Sequence, residues 1–190
     1  MLLKSTDFSL ASQPVALPAE ANARARRSSI RERSHSDEII TVESAIEVSG
    51  VIAIISLIAQ DTADLPLILY GRRGANRFRA YTHPYYSLLH DAPNPEHTSV
   101  TFREFIVGHC IAWGNFFAQM IPDERGVVRE LWPLRPDKMI VSRVNGEKIY
   151  IYITSEGKQR TFFKDEILHI PGFGFDGLVG YTRIALARNA

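Results

Sequence analysis

The side chains best able to carry chemistry in this chain are six histidines, one cysteine and scattered carboxylates. His169 lies between Leu168 and Ile170 in a β-prone run, and Asp165 and Glu166 lie close enough in sequence to assist it in acid–base catalysis. A histidine flanked by apolar strand residues is more often hydrogen-bonded within the fold, and carboxylates before a strand more often turn and cap the chain. The sequence therefore favours a structural role for His169, with acid–base catalysis as the alternative.

The other candidates for chemistry also favour structural explanations. Cys110 falls on the apolar face of a predicted helix, where it packs as a small hydrophobe, and one cysteine cannot form an internal disulfide. The histidines show no pair at metal-ligand spacing, and Asp176, in the glycine-rich loop over residues 171–180, would bind a cation only weakly by itself. The glycines of that loop lack the context of a phosphate-binding loop. We therefore expect no catalytic residue, no metal site and no cofactor.

An amphipathic helix forms the centre of the chain. Apolar residues spaced three and four apart predict this helix over residues 102–113, and Thr101 with Glu104 is predicted to form its capping box. Gly114 can adopt the left-handed conformation that ends a helix, and Asn115 begins the strand that follows.

A predicted hairpin follows this helix directly. Its first strand occupies residues 116–121, a polar turn occupies 122–126, and its second strand occupies 127–131. Pro133 and Pro136 close the second strand, because proline cannot donate to a strand ladder. A helix joined to a hairpin in this way is a structural scaffold, and its sequence pattern indicates no catalytic site.

An almost wholly apolar segment over residues 45–63 predicts a second helix, with Thr41 as its N-cap. Its uncharged part, residues 48–60, is shorter than the roughly 20 residues that span a bilayer. Ser49, Gly50 and Ser56 lower its hydropathy further. We expect a helix that is buried centrally or at a subunit interface, and no membrane insertion.

Short elements connect these two helices. Residues 65–70 are predicted to form a strand with Pro66 at its start or edge, and residues 71–74 a turn. Residues 78–81 are predicted to return as the partner strand. Pro84 then opens a short helix, because proline suits the first helical position.

The last third of the chain alternates short strands with turns. Asn145-Gly146 is a strong signal for a two-residue hairpin turn. The predicted strands are residues 139–144, 148–154, 159–163 and 167–170, and residues 181–190 begin a further helix without a visible cap. Together the elements predict an α+β fold with an apolar N-terminal helix, short helices and antiparallel β-hairpins.

The first 38 residues differ in composition from the rest. They are rich in Ser, Ala, Pro and Arg, and they hold six basic and five acidic residues. Such a segment buries too little apolar surface to fold, so we expect a disordered or partner-ordered tail before an ordered domain over residues 39–190. A basic nucleic-acid arm at residues 24–33 is the alternative, and a targeting peptide is disfavoured by the acidic residues. The ordered domain has balanced charge, so little direct DNA binding is expected from it.

Six short motifs lie in order along residues 41–190. They are Ala63-Asp64-Leu65-Pro66-Leu67-Ile68-Leu69-Tyr70; His83-Pro84 with Leu88-Leu89 and Pro93-Asn94-Pro95; Trp113-Gly114-Asn115-Phe116; Leu131-Trp132-Pro133-Leu134-Arg135-Pro136; Ile167-Leu168-His169-Ile170; and Asp176-Gly177-Leu178-Val179-Gly180. In this order and spacing they resemble the portal protein family of long-tailed bacteriophages and prophages. The resemblance marks nine residues as structural family positions: Pro66, Pro93, Asn94, Gly114, Asn115, Pro133, Pro136, His169 and Gly180.

The resemblance implies a subunit of a dodecameric ring at one vertex of a virion capsid, through which DNA is packaged and ejected. It also implies the terminase large subunit, the head–tail connector or adaptor and the major capsid protein as partners, with assembly in the host cytoplasm. The chain would supply the peripheral wing, because the family's stem, clip and crown lie largely beyond it. One departure is Tyr181-Thr182-Arg183, where the family has a small residue and then proline.

Two other classes remain open on sequence alone. One is a stand-alone protein–protein assembly module that shares the helix–hairpin scaffold without portal function. The other is an enzyme that uses His169 with a nearby carboxylate.

Overall fold

A computed structural model describes residues 41–174 and 177–188 of the chain. The expected tail over residues 1–38 lies outside the described residues, as does Asp176. The helices are α1 (Val42–Ile46), α2 (Ser49–Ala63), α3 (Pro84–His90), α4 (Ser99–Trp113) and α5 (Arg183–Arg188), with a short 3₁₀ helix at Pro136–Lys138. The strands are β1 (Tyr70–Arg73), β2 (Asn76–Arg79), β3 (Asn115–Pro122), β4 (Val128–Leu134), β5 (Met139–Val144), β6 (Glu147–Ile153), β7 (Gln159–Phe163) and β8 (Ile167–Pro171).

The strands form three antiparallel sheets, which confirms the α+β prediction. The central sheet has the order β4-β3-β8, a second sheet has the order β5-β6-β7, and β1 pairs only with β2. Strand β3 is therefore the middle strand of the central sheet, with β8 on one side although β8 lies far along the chain.

Strand β3 separates two hydrophobic cores. Phe116 and Ala118 are buried against Phe102 of α4 and Leu88 of α3. Phe117, which points to the opposite face of a pleated strand, is buried in a second core that also holds residues of β5, β6, β7 and β8. Each fully buried phenylalanine contributes roughly 2–3 kcal/mol to the stability of the folded state. Strand β3 therefore stabilises both cores.

Helix α4 begins earlier than the sequence indicated. Thr98 is its N-cap, and the Thr98 side chain accepts a hydrogen bond from the Thr101 backbone amide at 3.2 Å. The predicted capping box of Thr101 and Glu104 is therefore wrong. Thr98 is equally able to cap a helix, and the bond from the Ser99 amide to the Asp91 carbonyl holds the chain in position for the earlier start.

The apolar N-terminal segment forms two helices instead of one. The predicted Thr41 cap is confirmed, since the side chains of Thr41 and Ser44 form a reciprocal capping box. Val48 is extended, with φ −73° and ψ 117°, and interrupts the helix ahead of Ser49 and Gly50. Both of these residues are poor formers of a helix interior, which accounts for a new start at this point.

Within the described residues, no helix has the length and apolar character needed to cross a membrane.

The first hairpin lies later in the chain than predicted. Residues 65–69 are irregular, and Pro66 is exposed there instead of beginning a strand. Strand β1 includes Gly71, which the sequence placed in a turn, and the turn follows at Gly74 with φ 60°. Gly71 belongs in the strand because the Phe78 ring of β2 covers it, so closely that a Cβ atom there would lie 2.6 Å from the ring.

The later strands agree closely with their predicted bounds. The predicted turn at Asn145-Gly146 is confirmed, and both residues have positive φ, 52° and 85°. Strand β4 differs from the prediction because it runs through Pro133 to Leu134. It lies at the edge of the central sheet, where a residue without an N–H group is tolerated.

Candidate functional site

Four of the nine sequence-predicted positions meet where α4 turns into β3. Gly114 ends the helix with φ 75°, which confirms the predicted left-handed C-cap. Its carbonyl accepts a hydrogen bond from the Gly172 amide at 2.8 Å. A Cβ atom on Gly114 would lie 2.5 Å from the Tyr181 carbonyl carbon and 2.6 Å from the Gly180 oxygen. The backbone of residues 180–181 therefore lies too close to Gly114 to allow a side chain there.

Gly180 is required for the same reason. A Cβ atom on Gly180 would overlap the Gly114 carbonyl oxygen and the Gly172 amide nitrogen. Gly114 and Gly180, both predicted as family positions, therefore form the two sides of one close backbone contact.

Asn115 fastens this junction with its side-chain amide. Its Oδ1 accepts from the Gly180 amide at 2.7 Å, and its Nδ2 donates to the Gly180 carbonyl at 2.9 Å and to the Trp113 carbonyl at 3.2 Å. The residue is only 7% exposed. A buried amide with all these partners holds the last glycine of the loop against the start of β3.

His169 completes the network from β8. Because backbone groups fix the orientation of the Asn115 amide, His169 Nε2 must donate to Asn115 Oδ1, at 3.1 Å. His169 Nδ1 is then the acceptor for the Tyr150 hydroxyl at 3.4 Å, and the ring stacks on Phe117 at 4.5 Å between centroids. Burial, with a smaller effect of Lys148, lowers the pKa of His169 to about 4. The histidine is neutral at physiological pH.

The contacts of Glu166, His169 and Cys110 fit structural roles. The carboxylate of Glu166 accepts from the Phe163 amide at 2.8 Å and turns the chain, as the structural interpretation expected. His169 contacts an amide, a phenol and a phenyl ring, and these contacts suit a positioned strand residue. Burial raises the pKa of the Cys110 thiol to about 11, so it is protonated, and it lies 3.6 Å from the Ile170 carbonyl. Over residues 41–174 and 177–188, no group of three or more metal-ligating side chains occurs.

The start of α5 is capped, contrary to the expectation of a helix without a cap. The Thr182 hydroxyl accepts from the Ile184 amide at 3.2 Å and donates to the Ala112 carbonyl at 2.5 Å. Thr182 therefore caps α5 and ties it to the end of α4. A threonine at this position begins a helix by side-chain capping, where proline would begin one by its fixed φ angle.

Asn94 forms a second fastening point, on the central sheet. Its Nδ2 donates to the Leu131 carbonyl at 2.7 Å, and the Leu131 amide donates to the Pro93 carbonyl at 2.8 Å. Asn94 Oδ1 accepts from the amides of Glu96 and His97, both at 2.9 Å. Pro93 is fully buried, so the loop before α4 is held against the outer edge of β4.

The structure brings the nine predicted positions into two groups and leaves one apart. Gly114, Asn115, His169 and Gly180 meet at the junction. Pro93 and Asn94 bind β4, the strand that contains Pro133, and the buried Pro136 begins the 3₁₀ helix immediately after it. Pro66 is exposed and lies in the connection between α2 and β1.

Sequence reasoning missed the basic hairpin. Four arginines lie on β1 and β2, and no acidic residue occurs between Asp64 and Asp91. The signal was present as arginines interleaved with Tyr70, Phe78 and Tyr81, but a charge balance taken over the whole domain concealed it. It also missed Gly172 and Thr182, whose roles depend on contacts between distant segments.

Fold and site together define a structural α+β scaffold whose motif residues hold backbones together. The family model for the phage portal protein matches residues 49–190. The portal protein of Enterobacteria phage HK97 is 34% identical over 153 residues, which is 80% of this chain. The chain belongs to the phage portal protein family.

Solved structures show the same fold. A chain in the neck of the empty gene transfer agent particle, computed with C6 symmetry, superposes with a TM-score of 0.66 at 26% identity over 90% of this chain. An HK97 family phage portal protein from Corynebacterium diphtheriae gives 0.51 at 14% identity over 83% of this chain, a likeness of fold alone. The chain spans 36% of the HK97 relative, and 48% and 45% of these two structures.

Replacement of Gly114 by alanine should destabilise the protein more than the same change at Gly126. Both glycines have nearly the same φ, 75° and 77°, but the space around Gly126 is open while that around Gly114 is filled by backbone. Gly126→Ala should cost about 1 kcal/mol from left-handed strain alone, and Gly114→Ala about 2–4 kcal/mol because the junction must also open. Urea denaturation of both variants measures the difference. Equal losses would show that the contact of Gly114 with residues 180–181 adds nothing.

The stability of the protein should fall as the pH drops from about 6.5 toward 4. Burial lowers the pKa values of His169 and His109 to about 4 in the folded state, so the unfolded chain binds more protons in this window. Each histidine should contribute a slope of about 1 kcal/mol per pH unit after solvent screening, with full stability above pH 6.5. Denaturation at several pH values should show a shallower slope for His169→Gln and a still shallower one when His109→Phe is added. An unchanged slope in both variants would assign the acid sensitivity to other groups.

Proposed function

We propose that this chain is a structural subunit of a phage portal ring at the capsid vertex, where it serves DNA packaging, genome ejection and head–tail connection. The observation that carries this proposal is the family match over residues 49–190, together with 34% identity to the HK97 portal protein. The described geometry supports a structural role, since the motif residues bind backbone groups of distant segments.

The proposal places the chain in a portal wing. Its layered sheets and helices, fastened at Asn94 and Asn115, would form a rigid body at the ring's periphery. The partners that we propose are further copies of the chain in a dodecamer, the terminase large subunit, the head–tail connector or adaptor and the major capsid protein. The proposed location is the portal vertex of the virion, with assembly in the host cytoplasm.

The purified full chain should form a discrete ring-sized oligomer. Size exclusion with light scattering should give one species of fixed mass, and negative-stain electron microscopy should show rings with a central opening. A monodisperse monomer at all concentrations would favour the stand-alone assembly module. A continuous series of sizes would indicate association without ring closure.

We further propose that this chain contributes little direct binding to duplex DNA. Non-specific binding draws its free energy from phosphate neutralisation, and the described basic cluster is limited to four arginines on one hairpin. About four charges should be screened strongly near 0.15 M salt, where the Debye length is about 8 Å. Fluorescence anisotropy with a labelled duplex should therefore show only weak binding that disappears as salt rises. Tight binding at physiological salt would contradict this proposal.

A further inference from the structure

The β1–β2 hairpin projects from the fold as a ribbon of two strands. Of its eight strand residues only Gly71 is half-buried, and the other seven are exposed. Such a ribbon has little stability of its own in water. Phe78 covers Gly71 across the strands and supplies some internal packing. Packing of the hairpin against another surface would therefore stabilise its conformation.

The register places three of the hairpin's arginines on one face. Tyr70 pairs with Arg79 and Arg72 pairs with Arg77, so these two pairs lie on the same side of the ribbon. Directly opposed like charges destabilise a hairpin. In the described part of the chain no carboxylate forms an ion pair with these arginines. By contrast, Arg129 and Arg135 at other sites bind Asp123 and Asp137, each at 2.8 Å.

Helix α2 carries an apolar stripe that is exposed in the single chain. Ile54, Leu57 and Ile58 are 61%, 59% and 44% exposed, and their spacing continues to the exposed Asp61, with Asp64 immediately after the helix. These five residues form the α2 stripe. The helix already packs on the fold through another face, formed by Ile55, Ala59 and Ala63. A helix that is apolar on two faces and packs on its own fold through only one of them has a second face suited to bind a partner.

We infer that the arginine face of the β1–β2 hairpin docks on the α2 stripe of a second copy of this chain. The two surfaces are complementary in charge. The arginine face of the hairpin offers Arg72, Arg77 and Arg79 beside the exposed ring of Tyr70, and the α2 stripe offers three apolar side chains followed by the carboxylates of Asp61 and Asp64. The inference rests on the proposed ring. A closed ring of identical subunits requires two different, mutually complementary patches on each copy.

A mixing experiment separates this head-to-tail contact from other forms of association. One double variant, Arg72→Ser with Arg77→Ser, removes two of the three arginines from the hairpin face. Another, Leu57→Ser with Ile58→Ser, removes two of the three apolar side chains from the α2 stripe. Sedimentation velocity of each full chain should show self-association at least about tenfold weaker than that of the unaltered chain. An equimolar mixture should form a heterodimer and nothing larger, because only one intact pair of surfaces remains.

Matched variants test whether the loss is specific. Arg125→Ser with Arg143→Ser removes two exposed arginines from other turns and strands, and Phe163→Ser removes a 58% exposed apolar side chain. Both control variants should associate like the unaltered chain. Far-UV circular dichroism at a temperature well below unfolding should show the same folded spectrum for all variants, since every substituted side chain is exposed.

The remaining outcomes overturn the inference in different ways. If the unaltered chain assembles and both double variants assemble equally well, the contact lies elsewhere and the proposed ring stands. If the unaltered chain stays monomeric, the inference and the assembly predicted for the ring both fail. Photo-crosslinks from position 57 to residues 1–40 of the same molecule would assign the α2 stripe to the chain's own N-terminal segment. Loss of duplex DNA binding in Arg72→Ser with Arg77→Ser, at unchanged self-association, would make the hairpin a nucleic-acid surface.

Discussion

The structure depends on the hydrogen bonds between the Asn115 side chain and the backbone of Gly180. These bonds join residues 65 positions apart and bring the end of the glycine-rich loop onto the junction of α4 and β3. Because β3 is the middle strand of the central sheet and borders both cores, a displacement at its first residue would reach both layers. A buried amide whose donors and acceptors are all used permits one arrangement, so the network supplies geometric specificity beyond its net stabilisation.

Local signals in the sequence were sufficient for most elements. Gly114 ends a helix, Asn145-Gly146 turns a hairpin and Pro84 opens a helix, because each of these residues favours its conformation whatever surrounds it. Helix starts were less predictable. Thr98 and Thr101 can each cap a helix, and the choice depends on the bond from Ser99 to Asp91, which lies outside the window of a local pattern.

The site was predictable as a set of positions but not as a network. Family motifs marked Asn115, His169 and Gly180 separately, and nothing in the spacing of these residues indicates that one amide contacts the other two. Strand pairing that brings β8 beside β3 determines this contact, and such pairing depends on burial over the whole sheet. Gly172 and Thr182 show the same limit, since each is defined by a backbone carbonyl contributed by a distant segment.

The two parts of the molecule follow different physical rules. At the junction the Asn115 side-chain amide uses all its donors and acceptors within the chain, and backbone segments pack closely on Gly114 and Gly180. The β1–β2 hairpin and the α2 stripe differ from the junction, because Arg72 and Arg77 pair directly on exposed strands and Ile54, Leu57 and Ile58 are exposed. A sequence that satisfies its core so completely has no folding reason to keep like charges opposed on a free ribbon. These features support the inference that the hairpin and the stripe contact a partner outside the single chain.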